Sequence, residues 1–346
     1  MIRALIVALM LLAAVAPGNV LASVPDGPRL AIIVHGDPDG TELLAVGPSG
    51  EQPESLIASG PEQLGWVAGD RLSWSADGRR LAFAAPGEDD QPGRVLAIAK
   101  EDGHLYAYPR VDLSGGGDPV MAPDGRSVAF SRFKLVKVLP GRENYLFKSS
   151  VWSFDVERRS LRRLTRWRVG TYFWPSSFSP DGATLAVGSY DPQGFSAVAI
   201  DIRNGRVSLL VRDAWEPTYS PDGSRLAFVR LVDWFSPALN DAPPWRQFVD
   251  LFVARADGSG ARRLLHKRGL IAWPSWDPSG SMLAFTHSLV ESVRSLSPLE
   301  GNKVMAINAD GTCLTKVLSE PDLILFGAAW QPGPGREAGP IPCASG

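Results

Sequence analysis

Short apolar runs alternate with turn-forming residues along most of the chain, and one such pattern repeats at intervals of 41 to 57 residues. Each copy has an apolar or aromatic residue, then Ser-Pro-Asp-Gly or a close variant, then a triplet of the Leu-Ala-Phe type. The five complete copies begin at Trp74, Met121, Phe178, Tyr219 and Trp276. A shortened sixth copy begins at Trp330. A period of this length is typical of proteins built from repeated supersecondary units.

Each copy predicts two strands joined by a tight turn. Proline presets φ and glycine accepts a positive φ, so the chain reverses at Pro-Asp-Gly. A third alternating strand and a strand of the Arg-Arg-Leu-Leu type, as at 262–265, complete a four-stranded meander. Such a sheet cannot bury both of its apolar faces alone, whereas radial stacking of several sheets can. The repeats therefore predict an all-β propeller.

The two ends of the chain predict how the ring of sheets is closed. Residues 29–34 resemble a second strand that lacks a first strand, and residues 328–331 resemble a first strand that lacks a second. Joined, they form one blade together with strands near 42–47 and 54–58. With the five complete copies, this composite blade gives a six-bladed β-propeller of four-stranded antiparallel blades, closed by the C-terminal strand.

The recurrent Ser-Pro-Asp-Gly followed by Leu-Ala-Phe resembles the repeat of TolB-type β-propellers, over about residues 29–331. The resemblance implies the propeller fold, and because one fold hosts many functions it implies no particular activity. TolB has an α/β domain before its blades, whereas here only a few residues separate Ala22 from the first predicted strand. We therefore expect the propeller without that domain.

The N-terminal segment predicts export. One positive residue, Arg3, precedes an uninterrupted apolar run of 13 residues at 4–16. Roughly 20 apolar residues are needed to cross a bilayer as a helix, so this run is typical of a secretory signal peptide that is cleaved after about Ala22. A short membrane anchor is the alternative. The predicted organisation is a signal peptide at 1–22, a propeller at 23–332 and a C-terminal tail at 333–346. The mature chain is expected in the periplasm or outside the cell, without a transmembrane span.

The chain has two cysteines, Cys313 and Cys343. Disulfides persist in exported proteins, so the sequence predicts one bridge between them, and a pair of buried free thiols is the alternative. We expect Cys313 on the outer strand of the last complete blade. A bridge from there to Cys343 would hold the C-terminal tail across the closure of the ring.

Composition narrows the class of partner. The chain has 35 Lys and Arg residues and 37 Asp and Glu residues, so its formal net charge is −2. This balance argues against nucleic-acid binding, because such binding needs a clustered positive field. The hydrophobic fraction of 45% and the charged fraction of 21% are those of a globular protein. Since a propeller closes its own sheet edges, a monomer is expected.

Two groups of residues are candidates for binding. Three long insertions, at 133–148, 231–248 and 288–302, all fall between a second and a third strand, so they emerge on one face of the propeller. The middle insertion supplies Trp234, Trp245 and Arg246. On the same face, the starts of the inner strands line the mouth of the central channel and supply Asp118, Trp174, Trp215, Glu216 and Trp273. An acidic, tryptophan-rich mouth suits a cation, a sugar ring or a peptide amine. The alternative is that these aromatic residues only cap the blades or wedge between them.

The sequence predicts no catalytic residue, no metal site and no cofactor. The histidines His35, His104, His266 and His287 lack a metal-binding spacing, and no serine stands in a nucleophile elbow. His287 follows a predicted strand, where we expect it to hydrogen-bond the backbone. The sequence thus favours a non-enzymatic module that binds an envelope or extracellular protein, peptide or glycan through its loop-rich face. The alternative is a secreted hydrolase or lyase that uses carboxylates such as Asp118 and Glu216 at the channel mouth, with or without a metal.

Overall fold

The structure is a computed structural model. It describes residues 27–36, 40–48, 54–58, 71–86, 94–100, 105–113, 118–138, 145–231, 248–288, 302–319, 324–335 and 338–343. This part of the chain forms strands and turns, and it contains no helix long and apolar enough to cross a membrane. In chain order the strands are β1 (Leu30–Gly36), β2 (Gly40–Val46), β3 (Glu54–Ala58), β4 (Ser73–Trp74), β5 (Arg80–Pro86), β6 (Arg94–Lys100), β7 (Leu105–Asp112), β8 (Val120–Met121), β9 (Ser127–Val138), β10 (Tyr145–Asp155), β11 (Ser160–Arg163), β12 (Arg168–Val169), β13 (Tyr172–Phe178), β14 (Thr184–Asp191), β15 (Gly194–Asp201), β16 (Val207–Arg212), β17 (Trp215–Tyr219), β18 (Arg225–Leu231), β19 (Phe248–Arg255), β20 (Arg262–Arg268), β21 (Leu270–Trp276), β22 (Met282–Ser288), β23 (Lys303–Asn308), β24 (Thr315–Ser319) and β25 (Ile324–Trp330).

The strands form six antiparallel sheets, which are the blades of a six-bladed propeller. Blade 1 has the order β25-β1-β2-β3, and blade 2 comprises β4 to β7. Blade 3 comprises β8 to β11, with the short β12 also paired to β10. Blades 4, 5 and 6 comprise β13 to β16, β17 to β20 and β21 to β24. The predicted fold class and blade count are confirmed.

Blade 1 is assembled from both ends of the chain, as predicted. β25 pairs with β1 so that Trp330 lies opposite Leu30 and Phe326 lies opposite Ile33. The backbone N–H of Gln331 extends this ladder by donating to the carbonyl of Arg29. The last strand of the sequence is therefore the innermost strand of the first blade, and the ring closes through backbone hydrogen bonds.

The hydrophobic core lies between neighbouring blades. In the described residues it divides into six clusters, one at each blade-to-blade contact. The phenylalanines of the repeated Leu-Ala-Phe triplet are almost fully buried in these contacts: Phe83, Phe130, Phe228 and Phe285. Burial of one such side chain stabilises the fold by about 1.5–3 kcal/mol. Each cluster is therefore built from two blades, and within the described ranges a blade does not have a separate core of its own.

The Pro-Asp-Gly turns are held by a recurrent hydrogen-bond pattern. In the copy at residues 220–225, Ser220 donates its hydroxyl to Asp222 and accepts the backbone N–H of Arg225. The hydroxyls of Ser220 and Ser224 hold the pKa of Asp222 at about 2. In the fifth copy the two residue types exchange places, so Asp277 accepts both the Ser279 hydroxyl and the backbone N–H of Met282. The Asp-Pro-Ser-Gly variant therefore preserves the turn.

Arginines connect successive blades. Two residues after the turn glycine, Arg80 and Arg225 each donate to the carbonyl of the turn glycine in the next blade, which is Gly125 or Gly280. Arg225 also lies over the Trp276 ring, with 4.6 Å between its guanidinium carbon and the ring centroid. This link is not among the predictions from the sequence, although Arg recurs two positions after the turn glycine.

The C-terminal tail is attached to blade 6 in two ways. A disulfide joins Cys313 to Cys343, as predicted. Beside it, Asn308 donates to the carbonyl of Ile341 and accepts the Ile341 N–H. Cys313 lies in the turn before β24, not on the outer strand as predicted, because the chain enters that strand only at Thr315. Since the tail leaves blade 1 and is held on blade 6, the bridge spans the closure of the ring.

Candidate binding face and central channel

The inner strands of all six blades surround a central cavity of about 730 Å³. At one end lie the Pro-Asp-Gly turns, whose prolines line the opening in five blades: Pro123, Pro180, Pro221, Pro278 and Pro332. At the other end lie the starts of the inner strands, and this end opens on the face that carries the connections between second and third strands. We call it the insertion face. The cavity lining includes Arg71, Ser176, Trp273 and Gly327 at this end.

Arg71 crosses the channel at its mouth on the insertion face. Its guanidinium Nη1 donates to the carbonyl of Ser176 at 3.0 Å, although the two residues belong to blades 2 and 4. The side chain therefore passes in front of blade 3. It places one fixed positive charge beside the inner strands. Arg71 is not among the residues predicted from the sequence.

Glu216 and Trp273 are positioned by equivalent backbone irregularities in blades 5 and 6. Both have positive φ values, 50° and 53°, and both lie where the inner strand shifts register against its neighbour. Such a bulge bends a strand and re-aims its side chains. A carboxylate oxygen of Glu216 accepts the backbone N–H of Trp273. The Trp273 ring meets Phe326 edge to face, with 5.6 Å between centroids. Residues of blades 5, 6 and 1 thus form one side of the mouth.

The structure brings only part of the predicted site together. Of the candidates, Trp273 lines the cavity. Asp118, Trp174, Trp215 and Glu216 stand at the starts of the inner strands of blades 3, 4 and 5, outside that lining. The remaining candidates, Trp234, Trp245 and Arg246, lie outside the described residues.

Trp174 and Trp215 belong to a continuous run of aromatic rings on the insertion face. Successive centroids are 4.8 to 6.4 Å apart, and the rings of Tyr172 and Trp174 are stacked. The run consists of Phe133, Phe147, Tyr172, Trp174, Tyr190, Phe195 and Trp215. Trp215 packs against the core between blades 5 and 6, whereas Trp174 and Tyr190 are exposed. The run therefore both caps the blades and presents aromatic surface to solvent.

The insertion in blade 3 is a projecting hairpin. The length of 133–148 predicts a long connection, but β9 continues to Val138 and β10 begins at Tyr145. The two strands stay paired over this length, with Val138 opposite Tyr145. Alternation within 127–138 was the missed signal. Backbone pairing makes this insertion an extension of the sheet.

Among the described residues, no group of three or more His, Cys, Asp or Glu side chains is arranged to hold a metal ion. In the part of the chain that the structure describes, an acid and an imidazole meet in the outer half of blade 5. There the fully buried Asp250 lies 2.6 Å from Nδ1 of His266 and 3.2 Å from the guanidinium of Arg263. These contacts satisfy a buried charge and lie on β19 and β20, away from the channel.

His287 is buried at the end of β22, and its Nε2 donates to the carbonyl of Arg268 at 2.8 Å. It is thus a strand-end residue bonded to the backbone, as predicted. Burial lowers the pKa of His287 below its ordinary value of 6.5.

This buried histidine predicts a pH dependence of stability. Below pH 6.5 the unfolded chain binds a proton at His287 that the folded protein does not, so the free energy of unfolding should fall as pH drops from about 7 towards 5. His287→Gln keeps an N–H donor without titrating, and it should reduce this slope. Urea unfolding of both proteins at several pH values measures the slopes. Equal slopes would contradict the assigned environment of His287.

Six radial four-stranded sheets around a channel, closed by the C-terminal strand, define a TolB-like six-bladed β-propeller. TolB from Acinetobacter baumannii is similar, with a TM-score of 0.65 and 18% identity, over 88% of this chain and 67% of that chain. The putative TolB from Agrobacterium tumefaciens has a TM-score of 0.56 and 18% identity, over 88% and 98% of the two chains. A chain of the nidogen/laminin complex has a TM-score of 0.56 and 12% identity, over 88% of this chain and 98% of that chain.

No protein family and no curated protein matches the sequence. At identities of 18% or less, the similar structures show that the fold is shared and leave the function to be argued from this chain's own surface.

Proposed function

We propose that the chain is an exported, non-enzymatic propeller that binds a protein, a peptide or a glycan through its insertion face. The central contact is the channel mouth, where Trp273 and Arg71 are presented by the inner strands. The observation that carries this proposal is the placement of Trp273 at the opening of a cavity of about 730 Å³. Trp and Arg are the residue types that most often dominate binding energy at interfaces.

The mouth combines the features that a recognition site needs. Trp273 offers an aromatic surface to a sugar ring or an apolar side chain, and Arg71 offers hydrogen-bond donors and a positive charge. Both are preorganised, since Arg71 is bonded to the Ser176 carbonyl and Trp273 packs on Phe326. A preorganised site loses less conformational entropy on binding.

Export is supported by the apolar segment at 4–16 and by the disulfide between Cys313 and Cys343. Disulfides are rare in reducing compartments. One of the similar structures is a complex of nidogen with laminin, so the same fold occurs within an assembly of two proteins. Together these points support an envelope or extracellular binding module.

Substitution of Trp273 tests the proposal. The mature protein from residue 23 would be used for crosslinked capture from cell-envelope extract, and the recovered partner would then be titrated directly. We expect Trp273→Ala to weaken binding about 30-fold, which corresponds to a hot-spot loss of about 2 kcal/mol. Tyr106→Ala is the matched control, because Tyr106 is a half-exposed ring on β7, the outer strand of blade 2.

The outcomes are distinct once thermal melts have shown that each variant is folded. Binding by the native protein and by Tyr106→Ala, with loss in Trp273→Ala, supports a site at the channel mouth. Equal binding by the native protein and both variants would show that the site does not depend on Trp273 and lies elsewhere. Shortening of a captured glycan or peptide by the native protein would replace the binding module with the hydrolase or lyase alternative.

A further inference from the structure

Positive charge is concentrated in one blade. Residues 120–169, which span blade 3, contain twelve Lys or Arg and four Asp or Glu, so this blade carries a net charge of +8. The whole chain has a net charge of −2, so the residues outside 120–169 together have a net charge of −10. No Asp or Glu occurs among the described residues between 125 and 154. The near-neutral total thus conceals a molecule with one strongly basic side.

Exposed apolar side chains are concentrated on the same side. Among the described residues, nine large hydrophobic side chains are exposed, and six of them lie on the insertion face of blades 3 and 4. Their exposed fractions range from 36% to 60%. The six are Leu135, Val136, Val138, Val169, Trp174 and Tyr190. A contiguous exposed apolar surface in a folded protein usually marks an interaction site.

The projecting hairpin carries apolar groups on both of its faces. Leu135 lies opposite Phe147 on one face. On the other face Lys134 lies opposite Lys148, which in turn lies opposite Val169. The register shift between these pairs leaves Val136 as the extra residue of a bulge. Beyond Ala129, no described strand covers the second edge of β9.

Two lysines of the hairpin lie over the same tryptophan ring. The ammonium groups of Lys134 and Lys148 lie 5.4 and 5.6 Å from the centroid of Trp167. In the described part of the chain, neither these lysines nor Lys137 has a carboxylate at ion-pair distance. This hairpin has lysines among exposed apolar residues. It is therefore suited to a partner that has anionic groups at its surface and an apolar layer under them.

We propose that the hairpin and the adjoining exposed aromatic residues attach the protein peripherally to a bilayer that contains anionic phospholipid. Lipid surrounds a projecting hairpin and can cover Leu135 on one face and Val169 on the other. A protein surface would cover one face of such a ribbon. The lysines would meet phosphate groups, and Trp174 and Tyr190 would lie at headgroup depth, where amphipathic rings are favoured. This attachment goes beyond the proposed function, because it uses the hairpin of blade 3 and the adjoining aromatic residues and not Trp273 or Arg71.

Vesicle flotation tests the proposal with defined lipids. The mature protein would be mixed with vesicles of phosphatidylcholine alone, or with about 30 mol% phosphatidylglycerol added to supply surface charge. We expect at least about tenfold stronger binding to the anionic vesicles, and we expect this difference to shrink at about 1 M salt, where charges are screened.

Two hairpin variants have matched controls elsewhere in the chain. Leu135→Ser should reduce binding several-fold, whereas Leu209→Ser on β16 should not, although the two leucines are equally exposed at 52% and 50%. Lys134→Gln should weaken binding to anionic vesicles, and Lys316→Gln on β24 should leave it unchanged. Both hairpin changes are at exposed positions, and thermal melts would verify that each variant is folded.

Each result has one meaning. Loss of flotation in the hairpin variants alone supports membrane attachment. Absence of binding to anionic vesicles, or equal binding by hairpin and control variants, overturns it. Flotation of Trp273→Ala like the native protein would separate this attachment from the proposed partner site. Capture of an acidic protein that depends on Leu135 and Lys134, without vesicle binding, would replace the membrane with a protein partner.

Discussion

A chain that ends at residue 327 is expected to lose cooperative unfolding. The deletion removes Ala328, Ala329 and Trp330, which are buried in the contacts of blade 1 with blades 2 and 6. It also removes the ladder between Leu30 and Trp330 and the hydrogen bond from the Trp74 indole to the Ala329 carbonyl. Without them the inner edge of β1 is left open at Leu30 and Ala31, and β25 keeps only its pairs with 33–35.

The expected loss is comparable with the total stability of a domain. Replacement of one buried Trp by Ala costs about 3–5 kcal/mol, and here two further buried residues and the last backbone pairs of β25 with β1 are lost in addition. Folded proteins have free energies of unfolding of about 5–15 kcal/mol. We therefore expect a broad, non-cooperative transition in urea, measured by circular dichroism and tryptophan fluorescence.

The control for this truncation retains the closing strand. A chain that ends at residue 335 and carries Cys313→Ser lacks the tail and the disulfide but keeps β25. It should be less stable than the native protein and should still unfold in one sharp transition. A similarly sharp transition in the chain that ends at residue 327 would show that the last three residues of β25 are not needed to close the ring.

The second large effect is expected from Gly78→Ala in the turn of blade 2. Gly78 has a φ of +69°, and a Cβ there would lie 2.0 Å from the carbonyl oxygen of Pro332. The Gly78 carbonyl also accepts the side-chain N–H of Gln331 at 2.9 Å. An alanine would therefore separate the turn of blade 2 from the end of the closing strand. We expect the free energy of unfolding to fall by roughly 3–5 kcal/mol, the range of the largest single-residue effects.

Gly182→Ala is the matched control for this substitution. Gly182 occupies the same turn position in blade 4 and has the same φ of +69°, but a Cβ there would approach nothing closer than 3.8 Å. It should cost only about 1–2 kcal/mol, which is the penalty for the left-handed conformation. Chemical denaturation of both variants measures the difference. Equal losses would mean that Pro332 does not approach Gly78.

Closure of the ring also determines the candidate site. Gly327 in the closing strand lines the cavity, and its neighbour Phe326 supports the ring of Trp273. Changes that open the ring should therefore weaken binding at the channel mouth without any substitution there. Variants at the mouth are consequently informative only when their melts match that of the native protein.

Local turn chemistry made much of the fold predictable. Pro-Asp-Gly and its variants specify chain reversal within a few residues, so the repeats located the inner strands and gave the blade count. The fifth copy shows how local this information is, because Asp277 and Ser279 exchange roles and the turn survives. The signal was weaker at 133–148, where alternation continues the strands into the hairpin and the length suggested a loop.

Charge shows what the structure adds to a count. The totals of 35 Lys and Arg and 37 Asp and Glu indicate a near-neutral protein, a count over residues 120–169 gives a net charge of +8, and the structure places these residues together in blade 3. The same holds for the exposed leucine and valines of β9, whose lack of cover depends on which strands lie beside them.

The sequence by itself determined the class of fold, the composite blade and the disulfide pair, because each depends on short-range turn chemistry, on strand alternation or on a count of two cysteines. Only the tertiary structure decided which candidates reach the channel. Trp273 lines the cavity while Trp174 joins the exposed aromatic run, although both precede a proline in an inner strand. The direction of a side chain there depends on bulges and on the neighbouring blade, and contacts between blades are not encoded in the spacing of any single repeat.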